Sequence, residues 1–360
     1  MKKKIFAIIL AISIIALSLA SCGGRKRGEA DVHVFYYTYS DTYISSVRSA
    51  LDKKLGDMNV SYQDYDGAGN QTTQTEQIQT AITKGAKAII VNIVNTGSDD
   101  AATGIVNLAK SAGIPVIFFN REVSDTVIKS YDKCAFVGTR AEEAGMLQGE
   151  MIGEYVRDNF AAVDLNGDGE ISYILFKGEE GNNEAIYRTK YSVEDADKIL
   201  TAAGKKPLKF YDAANSNKYI VDKNGQWSAS AANEAMTTAL TSYNEKHSNM
   251  IELVICNNDG MAEGAISALN SAGYNLGTKD SKSIPVFGVD ATDAAKDLIK
   301  GGKMTGTIKQ DADGMATAIS KITKNILTEG AGLLDGMKDY SIDKDVSKIR
   351  IAYSKYLGEK

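Results

Sequence analysis

Histidine is almost missing from this 360-residue chain, which has two, His33 and His247, beside 46 Asp and Glu. That scarcity removes most histidine-based catalysis and His-ligated zinc. Positive charge is not in excess either: 41 Lys and Arg leave a formal net charge of -5. A nucleic-acid partner is therefore not expected, since phosphate neutralisation needs a clustered basic face. The three cysteines, Cys22, Cys134 and Cys256, are too few for a disulfide scaffold. Cys134 and Cys256 are expected unpaired, the latter as a small buried thiol ending the apolar run Ile251 to Ile255. The chain also lacks a Gly-x-Ser-x-Gly elbow, a Walker loop and a dinucleotide glycine pattern opening its first helix. No Pro/Ser-rich linker divides it.

What is present is ordinary globular material, 43% hydrophobic and 24% charged, in a chain too long for one core. Two domains follow. The N-terminus has Lys2 to Lys4, an apolar run from Ile5 to Ala20, and then Leu19-Ala20-Ser21-Cys22. This order reads as an export signal and resembles the bacterial lipobox, which implies a signal peptide over 1–21, lipidation of Cys22 and a polar tether over 22–30. A plain cleaved signal or a short membrane anchor is the alternative.

From Asp31 onward β-rich runs alternate with amphipathic segments, the pattern of an α/β fold with mostly parallel sheets. Strands are expected near Val32 to Thr38, Val60 to Tyr65, Ala88 to Val94 and Pro115 to Asn120. Helices over Asp41 to Leu55, Gln71 to Lys84 and Asp99 to Ala112 separate them, with Gly56, Gly85 and Gly113 as stops. A long helix from Ala141 to about Asn159 leads into a second set of strands. These are Ile171 to Phe176, Leu208 to Tyr211, Ile251 to Cys256, Pro285 to Val289 and Gly306 to Ile308. A helix over Asp311 to Leu327 and a last strand over Ile349 to Tyr353 complete the pattern.

Between the halves lies the loop 164–172, Asp-Leu-Asn-Gly-Asp-Gly-Glu-Ile-Ser. Oxygen side chains at alternate positions and glycine at the sixth match a calcium loop. The closing Glu of an EF-hand is absent, since position twelve is Leu175 in an apolar strand, so the missing carboxylate must come from elsewhere. A Gly/Asp-rich surface turn is the plainer alternative.

Ligands of open parallel sheets sit beyond the carboxyl ends of strands. Those ends hold Tyr39, Asp41 and Tyr43; Asn120 and Arg121; Asn182, Glu184 and Arg188; Asn257, Asn258 and Asp259; Asp290; and Gln310 with Asp311. Carboxylates, amides and a guanidinium suit a polyhydroxylated ligand, and aromatic rings suit its C–H faces. Trp227, the single tryptophan, lies in a polar loop where a large ring needs a partner. Each has a plainer role as well: Asp41 and Asn258 as helix N-caps, Arg188 as a solvated charge, Trp227 as a loop cap. Asp41 with Asp290 would also suit a glycosidase pair.

The runs Ile114 to Asn120, Asp164 to Gly169, Leu175 to Glu179, Ile251 to Asp259 and Ile284 to Asp290 together resemble the galactose/glucose-binding proteins of bacterial ABC sugar transport, over roughly Asp31 to Tyr353. The resemblance implies a type I periplasmic-binding fold: an N-terminal lobe of 31–138 plus 311–350, a C-terminal lobe of 139–310 plus 351–360, and a three-segment hinge that closes on ligand. It implies no enzymatic activity, a monomer, a monosaccharide ligand (D-glucose or D-galactose, with another pentose or hexose as the rival), an ABC permease as partner, and a chemoreceptor as a further one. Sugar contacts implied are Asp41, Tyr43, Asn120, Asn182, Glu184, Arg188, Trp227, Asn258, Asp290 and Gln310. Tyr43, Asn182, Glu184 and Gln310 depart from the family's Phe, His, Asp and Asn. A structural Ca2+ is implied on Asp164, Asn166, Asp168, the Glu170 carbonyl, Ser172 and Glu252. A sensory receptor and a cleft glycosidase are the readings from other classes.

Overall fold

The computed structural model describes residues 30–358 except Ser248. The export signal, Cys22 and most of the tether lie outside the described residues.

In the first lobe β1 (Val32–Tyr36), α1 (Thr42–Asp57), β2 (Tyr62–Asp66), α2 (Gln71–Thr83), β3 (Ala88–Val91), α3 (Asp100–Ala112), β4 (Val116–Phe119), α4 (Asp125–Lys129) and β5 (Cys134–Gly138) follow in turn. Strands β3 to β5 are apolar runs buried along their whole length, because helices cover both sheet faces. Alternation along β1 sorts its side chains: Val32, Val34 and Tyr36 pack towards α1, while Phe35 packs with Ile78, Ile89 and Val106 on the other face.

The chain then builds a second lobe: α5 (Ala141–Asp158), α6 (Phe160–Val163), β6 (Ser172–Lys177), α7 (Asn183–Ala202), β7 (Lys209–Phe210), β8 (Ile220–Val221), α8 (Ala229–Leu240), β9 (Leu253–Cys256), α9 (Asp259–Ser271), β10 (Val286–Asp290), α10 (Asp293–Lys300) and β11 (Gly306–Gln310). It returns to the first lobe for α11 (Ala312–Leu327), β12 (Ser341–Ile342) and β13 (Lys348–Arg350), and ends in the second with β14 (Tyr353–Tyr356). The sheet orders are β12-β13-β5-β4-β3-β1-β2 and β14-β11-β10-β9-β6-β7, with β8 also on β6. Only the β12–β13 and β11–β14 pairs are antiparallel among the described strands.

Three segments therefore cross between lobes, at 139–140, 311 and 351–352. Arg350 ties two of them, donating from Nη1 to the Thr139 carbonyl at 2.6 Å and from Nη2 to Glu122 at 2.7 Å.

Two expectations need correcting. The single strand expected over Ile349 to Tyr353 is two short strands, β13 and β14, in different sheets, because the third crossing falls inside it. Gly56 does not stop the first helix, which runs to Asp57, with the left-handed residue three positions on at Asn59 (φ 55°). Gly85 and Gly113, with φ of 95° and 71°, do follow their helices. Cys134 and Cys256 are free and buried in separate sheets.

Helix α5 lies almost in backbone contact with α7. A Cβ on Gly145 would stand 2.3 Å from the Tyr187 carbonyl oxygen, and one on Gly149 2.4 Å from that of Tyr191. Glycine at that spacing on α5 is what lets α7 approach.

Candidate functional site

The carboxyl ends of the strands of both sheets meet in one narrow interlobe cavity, the place where open parallel sheets bind ligands. All ten residues expected to contact ligand line it, together with Tyr37 and Arg121.

The first lobe supplies Asp41, Tyr43, Asn120, Tyr37 and Arg121. Asp41 does two things at once. Its Oδ1 caps α1 by accepting from Ile44 N at 2.8 Å, and its Oδ2 accepts from the Tyr37 hydroxyl at 2.6 Å. The Tyr43 hydroxyl points to Met315 Sδ at 3.8 Å. Asn120 adopts a left-handed φ of 60°, and its Oδ1 accepts from Asn92 Nδ2 at 3.1 Å. Arg121 is 4% exposed, stacks over Tyr37 with its Cζ 4.4 Å from the ring centre, and reaches across the cleft to Glu179.

The second lobe supplies the remainder. Asn182 and Asn258 cap α7 and α9 through their Oδ1 atoms. Asn258 donates from Nδ2 to the Trp227 carbonyl at 3.2 Å. Arg188, at 3% exposure, is not a solvated charge. It donates to the Asn257 carbonyl at 2.8 Å, to Gln310 Oε1 at 3.1 Å and to the Tyr353 hydroxyl at 3.0 Å, and lies 4.0 Å from Asp290. Trp227 packs its ring on Gly178, where a Cβ would come 2.1 Å from the ring, and donates from Nε1 to Glu179 at 3.4 Å.

Burial controls the charges here. It pushes the Glu184 carboxyl up to about 7 against the pull of Arg188, and raises Asp290 well above the carboxylate range. Four buried polar atoms of the lining have no protein partner: Arg121 Nε, Arg188 Nε, Glu184 Oε1 and Gln310 Nε2. Orphaned donors and acceptors are costly in a native fold, about 1–3 kcal/mol each, so their gathering around one cavity points to a polar ligand that satisfies them.

Tyr37 and Arg121 were not among the expected contacts. Tyr37 continues the apolar run of β1, and the reach of Arg121 depends on Glu179, 58 positions away. The strand-end rule does name Arg121, which the contacts implied by the family resemblance leave out.

The loop 164–172 lies apart from this cavity. Asp164 accepts from the N–H groups of Asp168 and Gly169, and Asn166 Oδ1 accepts from Asp168 N. Glu252, wholly buried, brings its carboxylate from the start of β9 to the N–H groups of Leu165, Asn166 and Ser172 at 2.8 to 3.1 Å. Ser172 Oγ donates to the Met250 carbonyl at 2.7 Å, and the Glu170 side chain turns outward to Lys206 and Lys209. The donors fit calcium in kind, being all oxygen, and Glu252 closes on the loop from a distant strand. No group of three or more His, Cys, Asp or Glu among the described residues is arranged to hold a metal.

The family model described as "Periplasmic binding protein domain" matches residues 32–331. The D-galactose/methyl-galactoside binding periplasmic protein MglB of Haemophilus influenzae is 33% identical over 333 residues, covering 92% of this chain and 91% of that protein. An ABC transporter solute binding protein of Bacillus halodurans, solved with myo-inositol, superposes with a TM-score of 0.68 at 25% identity, covering 92% of this chain and 96% of that one. Another from Clostridium phytofermentans, solved with β-D-glucose, shares the fold at a TM-score of 0.69 and 18% identity, covering 90% and 93%. Two lobes closing on one small polar cavity, with this family match across both, make the chain a member of the periplasmic binding protein family, a solute-binding protein and not an enzyme.

Proposed function

We propose that this protein captures a monosaccharide, D-glucose or D-galactose, between its lobes and delivers it to an ABC permease. The observation that carries this reading is the set of orphaned buried atoms on Arg121, Arg188, Glu184 and Gln310 around one cavity walled by Tyr43 and Trp227. A ring of hydroxyls satisfies such groups several at a time, while its C–H face packs on an aromatic ring. The relative from H. influenzae is named for galactose. Asp41, Asn120, Asn182, Asn258 and Asp290 supply the remaining hydrogen-bonding edges. Ligand contacts made to both lobes at once favour the closed hinge, and a permease would recognise that form.

Glu184 and Gln310 add a methylene each to the family pattern, and Asn182 removes a ring, so a different pentose or hexose is the second reading. Titration with a monosaccharide panel, followed by calorimetry and by the emission of the single Trp227, tests the assignment. A saturable response to glucose or galactose is expected. Flat traces for both, with a response to another sugar, would transfer the assignment to that sugar, and no response to any would defeat it. A sugar-sensing role through a chemoreceptor is proposed as an addition to transport, tested by capillary chemotaxis of cells lacking this protein. Membrane attachment through Cys22 is proposed on the lipobox-like sequence, and Cys22→Ala should shift the protein from the detergent phase to the aqueous phase.

We also propose a structural calcium ion at Asp164, Asn166, Asp168, the Glu170 carbonyl, Ser172 and Glu252, supported by the oxygen-only donor set and by the position of Glu252. Ca2+ would supply the positive charge these carboxylates lack, joining the loop to β9.

A further inference from the structure

Asp290 leaves β10 in a conformation that ordinary residues avoid. Its φ is 130°, and Ala291 follows at 57°. Side-chain-bearing residues in these regions cost roughly 1–3 kcal/mol each and persist only where the surroundings fix them. Asp259, in the first turn of α9, supplies such a fixture. It is wholly buried, its Oδ1 accepts from Thr307 Oγ1 at 2.6 Å, and its Oδ2 accepts from the backbone N–H of Thr292 at 2.8 Å. Thr307 Oγ1 in turn accepts from Ala291 N at 3.4 Å. One carboxylate therefore holds the turn at the second strained residue, through Thr307 at 291, and just beyond it, directly at 292.

Space has been left for it. A Cβ on Gly288, in the middle of β10, would stand 2.3 Å from Asp259 Oδ1. A buried charged group fitted so closely must have its oxygens engaged, and both are.

We propose that Asp259 is a positioning residue for ligand binding, holding the strained Asp290–Ala291 turn so that the Asp290 carboxylate faces the cavity. The proposal rests on the reading of Asp290 as a ligand contact. Asn at 259 keeps the shape, but its Nδ2 either faces the Thr292 N–H, donor against donor, or turns the Thr307 hydroxyl into an acceptor and leaves that buried hydroxyl hydrogen without a partner. In both cases the hold on the turn is weakened.

The test is a cycle of Asp259→Asn, Asp290→Asn and the double variant, with affinity for the best sugar of the panel measured well below the melting temperature. The expected result is about a 10- to 100-fold loss for Asp259→Asn in the parent protein and less than about twofold further loss in the Asp290→Asn background. Equal losses in both backgrounds, which general loosening of the lobe would give, overturn the proposal, as does unchanged affinity. Failure of Asp290→Asn to weaken binding removes Asp290 from the contact set, a separate failure of the underlying reading. A crystal structure of Asp259→Asn provides a readout that needs no sugar: residues 290 and 291 should relax from their positive φ, and retention of both values overturns the proposal. Thr307→Val, which keeps shape and removes the hydroxyl, serves the same measurements if the Asn variant does not fold.

Discussion

Arg121 and Glu179 form a partly buried ion pair across the cleft, Nη2 donating to Oε2 at 2.7 Å, from a residue after β4 in one lobe to a residue after β6 in the other. The same Glu179 oxygen accepts from Trp227 Nε1, and Arg121 stacks on Tyr37, whose hydroxyl donates to Asp41. A single chain of contacts thus links candidate ligand residues of both lobes, and it exists only when the lobes are together. The pair should favour the closed state and raise affinity for whatever the cavity holds.

Glu179→Gln should therefore weaken sugar binding by about 10- to 100-fold, because it leaves the Arg121 charge buried without its counter-ion. Calorimetry on parent and variant checks this, and equal affinity in both would show that the pair has no part in closure.

Gly178→Ala should displace the indole of Trp227, since the added methyl would meet the ring itself and not a flexible chain end. A red-shifted Trp emission and at least a tenfold loss of sugar affinity are expected. An unchanged spectrum would mean that the ring is not seated on Gly178.

Glu184 gives the ligand-free protein a signed pH dependence. Its folded-state value of about 7 exceeds the unfolded carboxyl value, with burial as the main cause. The folded state therefore keeps a proton that the unfolded chain has released, and stability falls as pH rises from about 4.5 to about 7. Glu184→Gln should remove that fall, raising the melting temperature at pH 8, where the penalty is at most about 3 kcal/mol, and leaving it unchanged at pH 4. Parallel melting curves of variant and parent at every pH would refute it.

For the proposed calcium ion, a chelator should lower the melting temperature of the parent protein, and Glu252→Gln should remove most of the difference. Saturating metal is expected to add about 2–3 kcal/mol when its concentration is a hundredfold above Kd. Identical melting with and without chelator would remove the site.

Much of the fold was legible because parallel strands buried on both faces are near-continuous apolar runs, as in Ala88–Val91 and Val116–Phe119. The strand ends could be named from the same runs, and most of their polar residues converge on one cavity, whereas Tyr39, Asn257, Asp259 and Asp311 do not line it. The third crossing was not legible in the residues themselves, and only the family resemblance implied it: Lys348–Arg350 and Tyr353–Tyr356 are separated by two residues, and nothing local says that they join different sheets. The short strands β8 and β12, two residues each, are equally silent, since only their partners make them strands. Double use of one side chain also escaped a reading that set cap against ligand. Asp41 caps α1 with one oxygen and still lines the cavity.

The close seating of α7 on Gly145 and Gly149 has a mechanical consequence. Helix α5 begins at Ala141, directly after the first crossing, and α7 bears Asn182 at its cap, Glu184 in its first turn and Arg188 beyond it. With backbone against backbone, the two helices have no side-chain cushion along which to slide. A rotation at the hinge therefore carries α5 and α7 as one body, as the turn of a handle carries the blade, and brings Arg188 with it, its guanidinium already fixed by Asn257, Gln310 and Tyr353.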